Sequence, residues 1–252
     1  MRSPETSTPW FSGVLGMALV AALLVACTID RDAARVADPR EAPPAPPEVY
    51  VAVGASETVG VGADLPEQAW PEVLRRTRLP EGTAFTNVGI SGATVTQALE
   101  QELPRALSLR PTLATVWLNV NDLTSGVPAD RYEAQLGQLV RALRREGATK
   151  VLVANTPPVQ LLPSYQACRR SPTGFCALIA SLPPDVIAAA VETYNAAVQR
   201  VARAEGAVLV DLHGASLRAA DTGEFEALVA ADGFHPSTLG HRAVADAFAD
   251  AL

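Results

Sequence analysis

The run Val49-Tyr50-Val51-Ala52-Val53-Gly54-Ala55-Ser56-Glu57-Thr58 joins a short apolar segment to a polar turn. Its first five residues are rich in β-branched side chains and predict a buried β-strand, and the glycine after them predicts a turn. Four similar apolar runs follow, at Phe85 to Val88, Leu113 to Val120, Lys150 to Ala154 and Ala207 to Val210. Because helical patterns separate these runs, the chain is predicted to form an α/β domain with a parallel sheet covered on both faces.

Three of the intervening helices have recognisable N-terminal signals. Asp130 is predicted to cap a helix over residues 131–146, and Asp185 to cap a helix that ends near Glu205. Ser237 is predicted to cap the last helix. We therefore expect helices after the third, fourth and fifth strands.

Composition limits the class of protein and of partner. The chain has 252 residues, 48% of them hydrophobic, which is enough for one large globular domain and argues against disorder. Its formal net charge is −7. Because nucleic-acid binding needs concentrated positive charge, no nucleic acid is expected as a partner.

The N-terminal residues differ from the rest. Phe11 to Val25 is apolar but short for a membrane span, and is typical of the hydrophobic region of a signal peptide. The following Leu24-Val25-Ala26-Cys27 resembles the lipobox of bacterial lipoproteins. This resemblance implies a signal peptide over residues 1–26 and a lipidated Cys27, and hence an exported protein anchored in the cell membrane or envelope. An ordinary signal peptide, or an uncleaved anchor with an incidental cysteine, is the alternative.

Residues 27–47 are charged at first and then rich in alanine and proline, which predicts a stiff linker before a domain over residues 48–252. Within that domain, Cys168 and Cys176 are separated by a short loop. In an exported protein such a pair favours a disulfide. A zinc site would need further ligands, and no histidine lies near these cysteines in the sequence.

Residues that could take part in catalysis follow the first three predicted strands. Ser56 follows the first strand, Gly89 the second and Asn121 the third. Because ligands bind at the carboxyl ends of parallel strands, we expect these residues at one edge of the sheet. Each also has an ordinary explanation: Ser56 as a turn or N-cap serine, Gly89 as a glycine with positive φ, and Asn121 as the start of an Asx-turn.

The run Ala231-Asp232-Gly233-Phe234-His235-Pro236 places a carboxylate three residues before an imidazole. The chain has three histidines, so candidates for a general base near neutral pH are few. His213 is expected to pack or hydrogen-bond at the end of the fifth strand, and His241 to be a surface or capping residue. No clustered ligand set suggests a metal, and no cofactor is expected.

The order of Ser56, Gly89, Asn121 and the Asp232-x-x-His235 pair resembles that of the SGNH hydrolases, also called GDSL esterases and lipases. The resemblance covers residues 49 to 252 and implies a flavodoxin-like three-layer α/β/α sandwich with a five-stranded parallel sheet. It also implies that Ser56 is the nucleophile and His235 its base. Asp232 would orient His235, and an oxyanion hole would be formed by Gly89, Asn121 and the backbone N–H of Ser56.

Two blocks depart from the family pattern. The family's first motif is Gly-Asp-Ser-Leu, and in this chain Ala55 replaces its aspartate and Glu57 replaces its leucine. In the third motif, Asn119 stands where the family usually has glycine. Since the implied catalytic side chains are present, activity is expected. Glu57 adds a negative charge beside the nucleophile, which is expected to affect the local geometry and the choice of substrate.

Other catalytic motifs fit less well. Ser91 is not in a nucleophile elbow, because Ala93 stands where the second glycine of Gly-x-Ser-x-Gly is needed. Gly60-Val61-Gly62 is not a dinucleotide loop, because Leu65 occupies the position of the third glycine.

The sequence therefore predicts a serine esterase that hydrolyses a lipid, lysophospholipid or acetylated-glycan ester through an acyl-enzyme. Its expected partners are that small-molecule, lipid or glycan ester and a membrane reached through the lipid anchor. The segment from Val159 to Pro184 is expected to form part of the substrate pocket. The alternative is a catalytically inactive surface lipoprotein that binds a glycan or lipid on the same fold.

Overall fold

The chain divides into two units, Met1–Pro44 and Ala45–Leu252. A computed structural model describes residues 48–173 and 181–252, all of which belong to the second unit. The predicted signal peptide over residues 1–26, the lipidated Cys27 and the linker over residues 27–47 lie outside the described residues. They remain predictions.

A five-stranded parallel sheet forms the centre of the second unit. Its strands are β1 (Val49–Gly54), β2 (Ala84–Asn87), β3 (Leu113–Trp117), β4 (Lys150–Ala154) and β5 (Val208–Val210). The order across the sheet is β2-β1-β3-β4-β5, and every neighbouring pair is parallel. This is the flavodoxin-like order of a doubly wound fold, and it confirms the predicted fold class.

Helices connect the strands and cover the sheet. The α-helices are α1 (Ser56–Val59), α2 (Trp70–Arg78), α3 (Val95–Gln97), α4 (Leu103–Ser108), α5 (Val120–Thr124), α6 (Ala129–Arg144), α7 (Pro163–Arg170), α8 (Pro184–Glu205), α9 (Leu212–Asp221) and α10 (Thr238–Ala249). A π-helical segment, Ala98–Glu102, joins α3 to α4. Short 3₁₀ turns occur at Pro66–Gln68, Arg145–Gly147, Val159–Leu161 and Phe225–Leu228. No helix among the described residues is long and apolar enough to cross a membrane.

Alternate residues of β1 point to two separate cores. Val51 and Val53 pack with apolar side chains of α6 and α8 on one face of the sheet. Tyr50 and Ala52 pack with side chains of α2 and α10 on the other face, where the Trp70 and Phe248 rings stack with centroids 4.3 Å apart. The strand is buried on both sides, which explains why its sequence is continuously apolar.

The third strand is shorter than predicted. It was expected to reach Val120 but ends at Trp117, which pairs with Gly54, the last residue of β1. Beyond this point β1 offers no residue to pair with, and the chain turns into α5. The apolar Leu118 and Val120 are buried after the strand has ended.

Two predicted N-caps are wrong and one is confirmed. Helix α6 begins after Pro128, and Asp130 lies in its first turn; Asp185 lies likewise in the first turn of α8, after Pro183. In both cases the fixed φ of proline suits the entry to a helix, which therefore starts before the acidic residue. The Ser237 side chain does cap α10, because it accepts a hydrogen bond from the N–H of Gly240 at 3.1 Å.

His241 was expected to be a surface or capping residue, and the structure shows that it is fully buried rather than on the surface. Its Nδ1 accepts the backbone N–H of Trp70 at 3.3 Å, and its Nε2 donates to the carbonyl of Val61 at 3.1 Å. Burial lowers the pKa of His241, which agrees with a neutral ring that accepts at one nitrogen and donates at the other. The inward face of α10 packs on α2, and the imidazole satisfies two backbone groups there.

Candidate active site

Ser56 lies at the sharp turn between β1 and α1. Its neighbour Gly54 has no room for a side chain, since a Cβ there would lie 2.1 Å from Thr58 Oγ1 and 2.8 Å from the carbonyl oxygen of Trp117. Ala55 is extended and precedes the first helical residue, Ser56. The backbone N–H of Ser56 therefore has no acceptor within the helix, as is general for the first turn.

Ser56, His235 and Asp232 form one chain of hydrogen bonds. Ser56 Oγ is 2.9 Å from His235 Nε2, and His235 Nδ1 is 2.6 Å from Asp232 Oδ2. The other carboxylate oxygen of Asp232 accepts the backbone N–H groups of Phe234, at 2.8 Å, and of His235, at 3.0 Å. The carboxylate thus fixes both the ring and the backbone of the histidine.

The electrostatics of Asp232 favour its charged form. Partial burial raises the pKa of Asp232, but the hydrogen bonds from His235 and Phe234 outweigh that effect, and the net pKa is lowered. The ionised carboxylate accepts the hydrogen bond of the N–H at His235 Nδ1, and in that tautomer Nε2 is the nitrogen that accepts the Ser56 hydroxyl. This is the arrangement that a general base requires.

Gly89 lies in the loop after β2, held against the Ser56 turn. The N–H of Ile90 donates to the carbonyl of Gly54 at 3.0 Å, and a Cβ on Gly89 would lie 2.9 Å from that same oxygen. Gly89 is not among the described glycines with positive φ, so the expected backbone strain is not the reason for glycine here. Glycine is needed at this position because the two loops approach each other closely. The N–H of Gly89 donates to Asn87 Oδ1 at 3.0 Å, a partner that the sequence did not indicate.

Asn121 lies in α5, just after β3, with its side chain directed towards the Gly89 loop. Its Nδ2 donates to the carbonyl of Ala93 at 3.0 Å. A side-chain amide has two N–H donors, so one remains for a ligand. The three residues predicted for an oxyanion hole therefore lie on contiguous loops at the carboxyl edge of β1, β2 and β3.

Glu57 follows Ser56 in the chain and borders a mainly apolar cavity of about 120 Å³. Its side chain lines that cavity, and its Oε2 is 3.3 Å from Ser56 Oγ. Glu57 is only 6% exposed, and burial raises its pKa. Val159 and Leu162, from the segment expected to form a pocket, also line this cavity. Residues 174–180 of that segment lie outside the described residues.

Two further buried carboxyl groups support the site: that of Glu102, which was missed in the sequence, and that of Asp122, which follows Asn121 after the third predicted strand. Glu102, on the π-helical segment, accepts the N–H of Gly54 at 2.8 Å. Asp122 accepts the N–H of Val95 at 3.0 Å. Burial raises the pKa of Glu102 to about 7 and that of Asp122 to about 6. Helical spacing could have indicated Glu102, since Ala98 and Ala106, four residues to either side, are buried too.

Glu102 should make the protein less stable as the pH rises. Its pKa rises from 4.5 to about 7 on folding, so its favourable contribution is complete below pH 4.5 and is lost as the pH passes about 7. Glu102→Gln removes this loss while keeping an acceptor for Gly54. Its free energy of unfolding relative to wild type should increase between pH 5 and pH 8 by on the order of 2 kcal/mol. Urea unfolding at both pH values measures this.

Glu100→Gln is the matched control for Glu102→Gln, because Glu100 is exposed on the same π-helical segment. The effect of this change should not grow with pH. A Glu102→Gln effect of equal size at pH 5 and pH 8 would show that the buried carboxyl does not titrate in this range.

His213 hydrogen-bonds at the end of β5, as predicted, with its Nδ1 3.0 Å from the carbonyl oxygen of Thr156. Cys168 is buried on α7, but its expected partner Cys176 lies outside the described residues, so the disulfide stays a prediction. Residues 48–173 and 181–252 contain no group of three or more His, Cys, Asp or Glu placed to hold a metal ion.

The model of the GDSL-like lipase/acylhydrolase family matches residues 52–243. Solved structures with the same fold include a lipase/acylhydrolase from Enterococcus faecalis, at 20% identity and a TM-score of 0.62, with 81% of this chain and 94% of that one covered. An extracellular lipase from Streptomyces rimosus is similar at 19% identity and a TM-score of 0.59, over 81% and 100%. The psychrotrophic esterase EstA from Pseudoalteromonas, in a structure inhibited by monoethylphosphonate, is similar at 16% identity and 0.59, over 81% and 96%. No curated protein sequence matches the chain.

Proposed function

We propose that this chain, which belongs to the GDSL-like lipase/acylhydrolase family, is a serine esterase that cleaves carboxylic esters through a covalent acyl-enzyme. The observation that carries the proposal is the continuous hydrogen-bonded series from Ser56 Oγ through His235 to Asp232. A binding protein that had lost its chemistry would have no need of it. The alternative of an inactive binder on the same fold is therefore not favoured.

In the proposed reaction, Ser56 Oγ attacks the ester carbonyl carbon while His235 Nε2 takes the hydroxyl proton. Asp232 stabilises the resulting imidazolium through its hydrogen bond to Nδ1. The tetrahedral intermediate then breaks its bond to the alcohol oxygen, which receives the proton from His235. Water repeats the sequence on the acyl-enzyme, with His235 again as base, and releases the carboxylic acid and free Ser56.

The proposed oxyanion hole uses donors from three neighbouring loops. These are the N–H of Ser56, the N–H of Gly89 and the second amide N–H of Asn121. Gly89 donates to Asn87 Oδ1 in the absence of substrate, so an oxyanion would share or replace that acceptor. The Ser56 N–H and the Asn121 amide, which the Ala93 carbonyl holds in place, need little reorganisation as charge develops, which is the basis of oxyanion stabilisation.

We further propose that the catalytic domain works at a membrane surface. The sequence Leu24-Val25-Ala26-Cys27 supports lipidation of Cys27, and the alanine- and proline-rich residues before Glu48 support a spacer. Esters of membrane lipids or of envelope glycans would then lie within reach. Small soluble esters remain suitable as assay substrates.

Covalent labelling tests the proposed function. The full-length protein, extracted in detergent, is treated with a fluorophosphonate probe and the adduct is mapped by mass spectrometry. Because such probes react with an activated serine, we expect the adduct on Ser56, as well as hydrolysis of 4-nitrophenyl acetate. The phosphonate inhibition of the esterase from Pseudoalteromonas supports this choice of probe. Folded protein that takes no label would instead support the inactive binder.

A further inference from the structure

The cavity beside Ser56 has dimensions that suit a short chain. We call it the Glu57 cavity. Its volume is about 120 Å³, and an engineered protein cavity of about 150 Å³ holds one benzene molecule. The cavity therefore holds a group of roughly five non-hydrogen atoms by the same comparison. A long fatty chain does not fit within it.

Its lining is mainly apolar, and three of its described side chains carry polar groups: Glu57, Ser216 and Trp117, whose buried indole N–H has no hydrogen-bond partner among the described residues. Most of the wall comes from the end of β3, from α9 and α10 and from the 3₁₀ turn between them, and includes Trp117, Leu212 and Phe225. Among the described lining residues, Glu57 and Ser216 carry a carboxyl and a hydroxyl group. The Glu57 carboxyl is the one that also reaches the nucleophile, 3.3 Å from Ser56 Oγ. Neither Ser56 nor His235 is among the lining residues, so Glu57 is the residue that connects the cavity wall to the nucleophile.

A buried carboxyl in an apolar wall constrains what can bind. A plain alkyl group would remove the remaining solvent from Glu57 and offer no hydrogen bond, which is unfavourable. A ligand carboxylate would be repelled by the ionised form. A hydroxyl group fits either protonation state, because it can donate to a carboxylate and accept from a carboxylic acid.

We propose that the Glu57 cavity binds the acyl group of the substrate and that Glu57 selects a short acyl group bearing a hydroxyl. This inference rests on the proposed esterase function, since it assigns the substrate class of the same site. The acyl side is chosen because the acyl carbon is bonded to Ser56 Oγ during the reaction, and Glu57 contacts that oxygen. Glu57 is thus a specificity-determining residue.

The experiment compares 4-nitrophenyl esters of butyric, 3-hydroxybutyric and decanoic acid, with the full-length wild type and with Glu57→Leu. Leucine has nearly the volume of glutamate but no polar group. The wild type should prefer 3-hydroxybutyrate to butyrate by about 10-fold in kcat/KM, the size expected for one hydrogen bond. Glu57→Leu should bring this ratio to about 1 or lower, and the decanoate should be the poorest substrate of the wild type.

The ratio of kcat/KM for 3-hydroxybutyrate to kcat/KM for butyrate is taken within one variant. A general loss of activity cancels in this ratio, so Glu57→Leu need not keep full turnover. Ser216→Ala is the matched control, because it removes a polar side chain of the same wall and leaves Glu57 in place. This variant should keep the preference for the hydroxylated ester. If Glu57→Leu fails to fold, Glu57→Gln replaces it. Its amide still hydrogen-bonds a hydroxyl, so we expect a ratio between those of wild type and 1.

Three results would overturn the inference. They are a wild-type ratio near 1, a ratio unchanged by either substitution of Glu57, and loss of the preference in Ser216→Ala alone. Acetate esters of butanol and of butanediol test the alcohol side of the substrate. Faster cleavage of the butanediol monoacetate, which carries a free hydroxyl group, would also overturn the assignment of the cavity to the acyl group. The acetyl group of 4-nitrophenyl acetate is too short to use the cavity. Its hydrolysis therefore reports the proposed function separately, and failure there points to the esterase proposal itself.

Discussion

Replacing Ser56 by alanine is expected to lower kcat/KM for 4-nitrophenyl acetate by a factor on the order of 10³ or more. Without Oγ no acyl-enzyme can form, and His235 Nε2 loses the hydroxyl that lies 2.9 Å away. Only the weak contribution of oxyanion binding to direct attack by water would remain. Initial rates of the purified full-length variant measure the effect, and fluorophosphonate labelling should disappear with it.

Ser91→Ala is the control for Ser56→Ala. Ser91 is exposed in the loop that follows Gly89, so it tests a second serine close to the same site. This variant should keep both turnover and labelling. Full turnover in Ser56→Ala, or loss of labelling in Ser91→Ala, would contradict the assignment of the nucleophile.

Replacing His235 by alanine is expected to cause a loss of similar size, again on the order of 10³. The Ser56 hydroxyl is a poor nucleophile without a base, and the ring also links it to the negative charge of Asp232. When several side chains act as one catalytic unit, the effects of their substitutions on the rate are not additive. The double variant Ser56→Ala/His235→Ala should therefore be no slower than either single one by more than a few-fold.

His213→Ala is the comparison for His235→Ala. His213 hydrogen-bonds the Thr156 carbonyl at the end of β5, away from Ser56 in the hydrogen-bond network, so its loss should affect thermal stability more than rate. Equal losses of turnover in the two variants at equal stability would count against His235 as the base.

Much of the fold could be predicted from local patterns in the sequence. Apolar runs predicted the five strands, and they are clearest in the three central strands, because a strand buried on both faces requires apolar residues at nearly every position. Lys150 to Ala154 was predicted with the bounds observed for β4. The end of β3 was not, since Leu118 and Val120 are as apolar as the strand itself. There the limit is set by β1, which has no residue left to pair.

The site was only partly predictable. Ser56, Gly89 and Asn121 were expected at one sheet edge, because parallel strands carry their carboxyl ends to the same side. Glu102 and His241 were not expected in the interior, because charged and titratable residues are usually exposed. Each is buried because it satisfies backbone groups: Glu102 accepts from Gly54, and His241 bonds Trp70 and Val61.

The sequence by itself determined the parallel α/β class, the order of the five strands and the carboxylate three positions before His235. These depend on spacing along the chain, and spacing is local. The tertiary structure decided that Ser56 and His235, 179 positions apart, meet within hydrogen-bonding distance. It also decided that the residue after the nucleophile, Glu57, lines a mainly apolar cavity. Contacts of this kind arise when distant segments pack against one sheet, and their geometry depends on every layer between them.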